Sequence, residues 1–244
     1  MKTFIHFLPI IFLLCGIEVA AKAPISGNLN SAEQMQVGRV LGFGSAMKVL
    51  GNPYPLGGFD GYEFGIMTGF IPRDQISKLG NGQGENSEIS YLELSISKGL
   101  YKNIDVGITF SPFPQTESYS SFGAFGRIGI WEGEHYPASF SLNLHTNFAS
   151  FYDMVHTTTG GLDGIFAVSV EKLSLYLGLG WLDSNATLIG GASGITNTQK
   201  TLTAGNSSPR QFAGFSISFG KIFTAFQVDR SDDSYYSGKL GLRL

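Results

Sequence analysis

Apolar and polar residues alternate with period two through most of the chain, which places every second side chain on one face of an extended strand. The clearest run is 138–148. There Ala138, Phe140, Leu142, Leu144 and Phe148 share one face, and Ser139, Ser141, Asn143, His145 and Asn147 share the other. Leu173, Leu175, Leu177, Leu179 and Trp181 alternate in the same way with Ser174, Tyr176, Gly178 and Gly180. Ile104, Val106, Ile108 and Phe110 alternate with Asp105, Gly107, Thr109 and Ser111, and Leu240, Leu242 and Leu244 with Lys239, Gly241 and Arg243. Taken along the whole chain, the pattern predicts about ten strands, with twelve possible, at 58–71, 88–98, 103–112, 119–132, 137–149, 163–170, 173–183, 210–219, 221–230 and 234–244.

The predicted connections alternate in length. Long ones are expected at 72–87, 112–118, 150–162 and 184–209, with the polar Ser231-Asp232-Asp233 joining the last two strands. Short ones are expected at 99–102, 133–136, 171–172 and 220–221. An even strand number with short turns on one side and long loops on the other is the pattern of a bacterial transmembrane barrel. The fold class predicted is therefore all-β, an antiparallel up-and-down transmembrane β-barrel over 58–244. A soluble β-sandwich shares the alternation. Two features favour the barrel. Trp181, Phe148 and Phe110 stand near the ends of apolar faces, as an aromatic girdle requires, and the opposite faces are rich in Gly and Ser, which suits a narrow lumen.

Two segments precede the strands. Lys2, the apolar run from Phe4 to Ile17, and small residues Val19, Ala20 and Ala21 form a secretory signal, with cleavage expected after Ala21. Leu13-Leu14-Cys15-Gly16 is a poor lipoprotein signal, because Leu14 is not small. Residues 22–57 form an N-terminal segment in which 31–50 predicts a helix. Ser31-Ala32-Glu33-Gln34 has the spacing of a capping box, and Gly51-Asn52-Pro53 is a stop. Gly38, Gly42, Ser45 and Ala46 make a small face suited to close packing. The helix is expected to cap or plug the periplasmic mouth, with both mature termini in the periplasm.

Composition narrows the classes further. Cys15 is the only cysteine, so the mature chain has none, which removes disulfides, cysteine metal sites and thiol nucleophiles. The formal charge is −3 and no basic run occurs, so the phosphate-neutralising patch of a nucleic-acid binder is missing. Mean hydropathy is only +0.09, far below that of a helical membrane protein, and no mature segment approaches the roughly 18 apolar residues of a spanning helix.

The signal segment, the cysteine-free mature chain and the alternating terminal strand 234–244 resemble Gram-negative outer-membrane β-barrel proteins of uncharacterised or porin-like type. That class has its last strand read by the barrel-assembly machinery, usually with an aromatic residue at the end; here the residue is Leu244. Gly99-Leu-Tyr-Lys-Asn-Ile-Asp-Val-Gly107 is similar to the periplasmic turns of several such families. The resemblance implies residence in the outer membrane, contact with its lipid and lipopolysaccharide, and no cofactor.

Glu63, Glu93, Asp105, Arg127, Asp229, Lys239 and Arg243 fall on inward faces and are expected to form a lumen charge network. Mixed signs in a narrow interior imply pairing, since an unpaired buried charge is costly. Such a set either closes the lumen or forms a selective constriction. Lys98 shares parity with outward Leu92, Leu94 and Ile96 and is expected to snorkel at a turn. His145, beside Asn143 and Asn147, reads as a hydrogen-bonded lumen residue. His135, Asp153, His156, Asp232 and Asp233 match no catalytic pattern, and neither an enzyme nor a metal site is expected. The leading functional expectation is a narrow channel or passive transporter for small solutes. The alternative is a closed structural, adhesion or ligand-binding barrel acting through its external loops.

Overall fold

The computed structural model describes residues 25, 27–72, 74–82, 88–112, 119–190, 195–198 and 200–244. The expected signal segment, with Cys15, lies outside them. Ten strands close into one antiparallel barrel: β1 (Tyr62–Pro72), β2 (Glu88–Tyr101), β3 (Ile104–Phe110), β4 (Tyr119–Glu132), β5 (Ala138–Phe151), β6 (Val155–Val170), β7 (Leu173–Leu188), β8 (Leu202–Phe219), β9 (Ile222–Arg230) and β10 (Ser234–Arg243). Each strand pairs with its sequence neighbour, and β1 pairs with β10 through Glu63↔Arg243, Ile66↔Leu240 and Phe70↔Tyr236.

The alternation reads directly onto the two surfaces. Leu144, Leu175, Leu177, Leu179 and Phe166 are exposed on the outer wall, while Ser141, Asn143, His145 and Asn147 are buried inside. Exposed Phe70-side aromatics such as Phe122, Phe148, Trp181 and Tyr236 ring the long-loop end, and Tyr62, Tyr101, Trp131 and Phe219 ring the other. Lys98 behaves as its parity implies. Its amine donates to the Phe59 carbonyl and lies 4.0 and 3.8 Å from the Phe59 and Tyr62 ring centroids.

Two loop expectations are corrected. The connection predicted at 150–162 shrinks to the turn between Phe151 and Val155, and the one at 184–209 to the stretch between Leu188 and Leu202. Strands β6, β7 and β8 continue beyond the apolar belt with Thr, Asn, Ser and Gly on both faces. Their ladder is kept by backbone hydrogen bonds that need no apolar stripe, so hydrophobic alternation is silent there.

Helix α1 spans Ser31–Gly44. Its cap is Asn30, one residue before the expected box. Asn30 Oδ1 accepts from the Ala32 and Glu33 amides at 3.0 and 3.1 Å, and Glu33 Oε2 accepts from the Asn30 amide at 2.8 Å. The Glu33 carboxyl, which also accepts from the Gly80 amide at 3.1 Å, is held below the usual carboxylate range by these backbone donors. The helix ends at Gly44 instead of reaching residue 50, and the chain continues as an irregular strap, 45–61.

The position of α1 is the main departure from expectation. It sits inside the barrel at the long-loop end, opposite the mouth it was expected to plug. Leu29 bridges Thr196, the Leu29 amide donates to the Ile195 carbonyl at 3.0 Å, and the Asn81 amide donates to the Gly27 carbonyl at 3.1 Å. Leu244 lies at the short-turn end, where it exchanges backbone bonds with Tyr62 at 3.2 and 2.9 Å. Described residues 27–29 and Leu244 therefore lie at opposite ends of the barrel, which gives no support to the expectation that both mature termini share the periplasmic side. The strap permits this, since 45–61 can extend to roughly 56 Å, well over a bilayer's core. The small face selects the site: a Cβ on Gly38 would come within 2.8 Å of the Ala186 methyl, and one on Gly42 would meet Ser184. Those small wall residues occur high on β7.

Candidate functional site

The lumen is the place where chemistry-bearing residues converge, and it has two storeys. The upper one is apolar. Val37, Val40, Leu41 and Phe43 of α1 pack with Ile71, Tyr91, Tyr119, Phe151, Leu188 and Tyr235 of the wall into a buried cluster. The rings of Tyr91 and Tyr119 stack at 4.7 Å, and Tyr119 meets Phe151 at 5.2 Å. This is a packed apolar core inside the barrel, built as in a soluble domain.

Below it the strap descends through a polar storey, and the wall holds its backbone at each step. The Asn147 side-chain amide donates to the Ser45 carbonyl at 2.5 Å, Lys239 Nζ to the Leu50 carbonyl at 3.3 Å, and Ser141 Oγ to the Pro53 carbonyl at 2.7 Å. Arg127 donates to the Asn52 carbonyl. Near the short-turn mouth the Tyr54 ring lies against the wall, where a Cβ on Gly129 would come within 2.5 Å of it and displace it.

The predicted charge residues all face this storey. Glu63 accepts from Lys239 and Arg243, each at 2.7 Å. Asp105 accepts two bonds from Arg127, at 3.1 and 2.6 Å, in the forked geometry that suits a guanidinium to a carboxylate. Asp229 accepts from Arg210 Nε at 2.8 Å and again from Nη2. Glu93 differs from the expectation of charge pairing: its Oε1 accepts from Tyr119 at 2.9 Å and Ser121 at 2.6 Å, both hydroxyls.

Three members of the network escaped the sequence reading. Arg210 follows Pro209 at what reads as a loop boundary, Asp163 stands among glycines, and Lys48 lies in the stretch that predicts a helix. In the structure Arg210 Nη1 donates to Asp163 Oδ2 at 2.9 Å, and Lys48 Nζ lies 3.9 Å from Asp229 Oδ2. Parity within β6 and β8 was the available signal: Asp163 is in register with Asn143, and Arg210 lies one step from outward Gln211. His145 is indeed a hydrogen-bonded lumen residue, its Nε2 3.1 Å from Asp163 Oδ2 and 3.3 Å from Arg210 Nη1. Its Nδ1 is buried without a partner among the described residues.

The charges balance in two groups, Arg210 and Lys48 against Asp163 and Asp229, and Arg127 against Asp105, while Glu63 faces two cations, Lys239 and Arg243. Such pairing offsets desolvation and fixes geometry. The void enclosed between strap and wall, lined by Met47, Lys48, Glu63, Met67, Arg127 and Lys239 among others, is about 20 Å³, room for roughly one water.

The rim residues do not assemble. His156 is exposed on the outer face of β6, Asp153 accepts from Ser150 at 3.4 Å, and Asp232 meets Arg39 at 3.6 Å. Asp233, bonded by Gln75, has its carboxyl pushed up by burial. Among the described residues no group of three His, Cys, Asp or Glu is placed to hold a metal.

A closed antiparallel barrel with an apolar, aromatic-edged exterior and a polar, paired interior is an outer-membrane β-barrel. No protein-family model matches the sequence, and no curated protein matches it. Among solved structures, the chain is similar to the N-terminal β-barrel domain of Pseudomonas aeruginosa OprF, at 14% identity over 76% of this chain and 97% of that one, TM-score 0.36. It is also similar to the translocator domain of the autotransporter NalP from Neisseria meningitidis, at 14% identity over 87% and 95%, TM-score 0.41. Ail, the attachment invasion locus protein of Yersinia pestis, matches at 12% identity over 75% and 98%, TM-score 0.32.

Proposed function

We propose that this barrel is closed at rest and serves as a ligand-binding or adhesion scaffold acting through its long-loop face, in place of the open channel expected from sequence. The filled lumen carries this reading. A diffusion pore needs a continuous water path, whereas here α1 and the strap occupy the interior from rim to rim and the wall bonds the strap along its length. Solute passage would require breaking the Lys48, Arg127 and Lys239 contacts together. The plug also bonds described residues of the long-loop face. Leu29 joins the stretch after β7, Glu33 holds Gly80, and Arg39 reaches Asp232. Its setting would be outer-membrane lipid and lipopolysaccharide, reached through the barrel-assembly machinery.

Planar-bilayer recording tests the reading. The refolded chain should show no steady single-channel conductance, and a chain lacking residues 31–50 should conduct if it assembles. A steady conductance in the intact chain would restore the channel.

A further inference from the structure

The outer wall carries a feature that the plugged lumen does not explain. A groove of about 720 Å³ crosses β5 to β9 on the lipid-facing side. It follows two neighbouring rows of the ladder. One runs Arg230↔Gln211, Gln211↔Leu179 and Leu179↔Gly164; the other runs Val228↔Ala213, Ala213↔Leu177 and Leu177↔Phe166. Four inter-strand steps make it about 19 Å long. Gly164 and Ala213 lower the floor, and Phe166, Leu177 and Leu179 stand up as walls.

One end of the groove is charged. Arg230 is the last residue of β9, exposed, with Gln211 beside it in the ladder. Among the described residues, the outward strand faces carry two cations, Lys98 and Arg230. Lys98 is engaged at the short-turn end, whereas no carboxylate among the described residues pairs with Arg230. Exposed Trp181 and Tyr236 nearby mark the headgroup level. A second wall groove, of about 450 Å³ beside Phe64, Leu94 and Ile222, has no ionisable residue in its lining. The first groove thus has the two parts of an amphiphile site, an apolar slot of acyl-chain length and a guanidinium where a phosphate would sit.

We propose that this groove binds a phosphorylated, acylated lipid of the outer leaflet, one acyl chain lying along Gly164 and Ala213 and the phosphate held by Arg230, with the Gln211 amide as a second donor. Guanidinium suits this role because its fork donates two parallel bonds to phosphate oxygens.

The test uses the full refolded chain in detergent, native mass spectrometry, and diphosphoryl lipid A as the probe. Two variants act on opposite ends of the site. R230Q removes the cation. G164L fills the slot, and it should fold because a Cβ at Gly164 makes only ordinary contacts, 3.4 Å to Phe140 and 3.8 Å to Leu142. A heat-dependent gel shift checks assembly of each. One lipid should be retained by the parent chain, with retention roughly tenfold weaker in R230Q, the loss expected for one charge-assisted contact. G164L should also lose retention, the dephosphorylated lipid should bind as weakly as it does to R230Q, and inorganic phosphate should not displace the probe. Equal retention by the parent and either assembled variant would overturn the site. Displacement by inorganic phosphate would overturn the lipid as its ligand.

Discussion

Lys48 of the strap lies 3.9 Å from Asp229 of β9, with both side chains almost wholly buried, while Arg210 holds the other oxygen of the same carboxylate. One wall acid therefore serves two cations, one belonging to the barrel and one to the plug. Asp229 is the point at which closure of the lumen and integrity of the wall become one electrostatic unit.

Substituting the two partners should have unequal effects. Asp229→Asn removes the carboxylate that accepts two bonds from Arg210 and leaves that buried guanidinium under-paired, a loss of about 3–5 kcal/mol. Lys48→Met removes only the plug's cation and leaves Arg210 paired with both acids, so it should cost less. The temperature at which the folded band converts to the unfolded band on unboiled gels reports the order. A larger loss for Lys48→Met would mean that the strap, and not Arg210, is what neutralises Asp229.

Topology gives a second expectation. Cys15, the chain's one cysteine, lies in the expected signal segment, so with that segment removed single cysteines report without background. Asn28→Cys should react with an impermeant thiol reagent on intact cells, because exposed Asn28 lies among the long loops, and Lys221→Cys in a short turn should not. Reaction at Lys221 alone would place the long loops and the N-terminal segment in the periplasm.

The register of β5 predicts opposite tolerances at adjacent positions. Leu142→Arg puts a cation on the lipid-facing wall and should cost roughly 2–4 kcal/mol near the bilayer midplane. Asn143→Ala, on the lumen side, removes a buried amide and should cost about 1 kcal/mol. Thermal gel-shift midpoints in lipid vesicles decide it, and equal losses would argue for a one-residue slip.

What the sequence made legible follows from where burial is one-sided. Wherever a strand divides lipid from lumen, as in β5 or the lower half of β7, alternation reveals strand, face and register together. Glu63, Asp105, Arg127 and Lys239 were found by that parity. Above the apolar belt it vanishes, so Thr157, Ser184 and Ala204 read as loop although they form the walls on which α1 docks. The helix itself is legible in its small face and in a capping signal one residue from the true cap, Asn30. Its location is not, because Gly38 and Gly42 specify a close neighbour without naming it, and the matching Ala186 and Ser184 lie in the stretch that reads as a loop.

That close fit yields the sharpest expectation. A Cβ on Gly42 would come 3.0 Å from Ser184 Cβ, nearer still to its hydroxyl, and the Gly42 carbonyl accepts from Thr159 at 3.0 Å. Gly42→Ala improves intrinsic helix propensity by up to about 1 kcal/mol. Overpacking against β7 opposes this by roughly 1–3 kcal/mol, so the net effect should be destabilising. Ser184→Gly alone removes the hydroxyl that lies 3.2 Å from the Thr159 hydroxyl and leaves a small void, a modest loss. Combined, the two changes restore room for the methyl group, and the double variant should recover more than the sum of the single losses allows, a favourable coupling of about 1 kcal/mol or more. The cycle needs only the four thermal midpoints, with bilayer conductance as a second readout of whether Gly42→Ala loosens the plug. Additive losses would show that α1 does not rest on Ser184 in the membrane, and the helix would then have to pack elsewhere in the lumen.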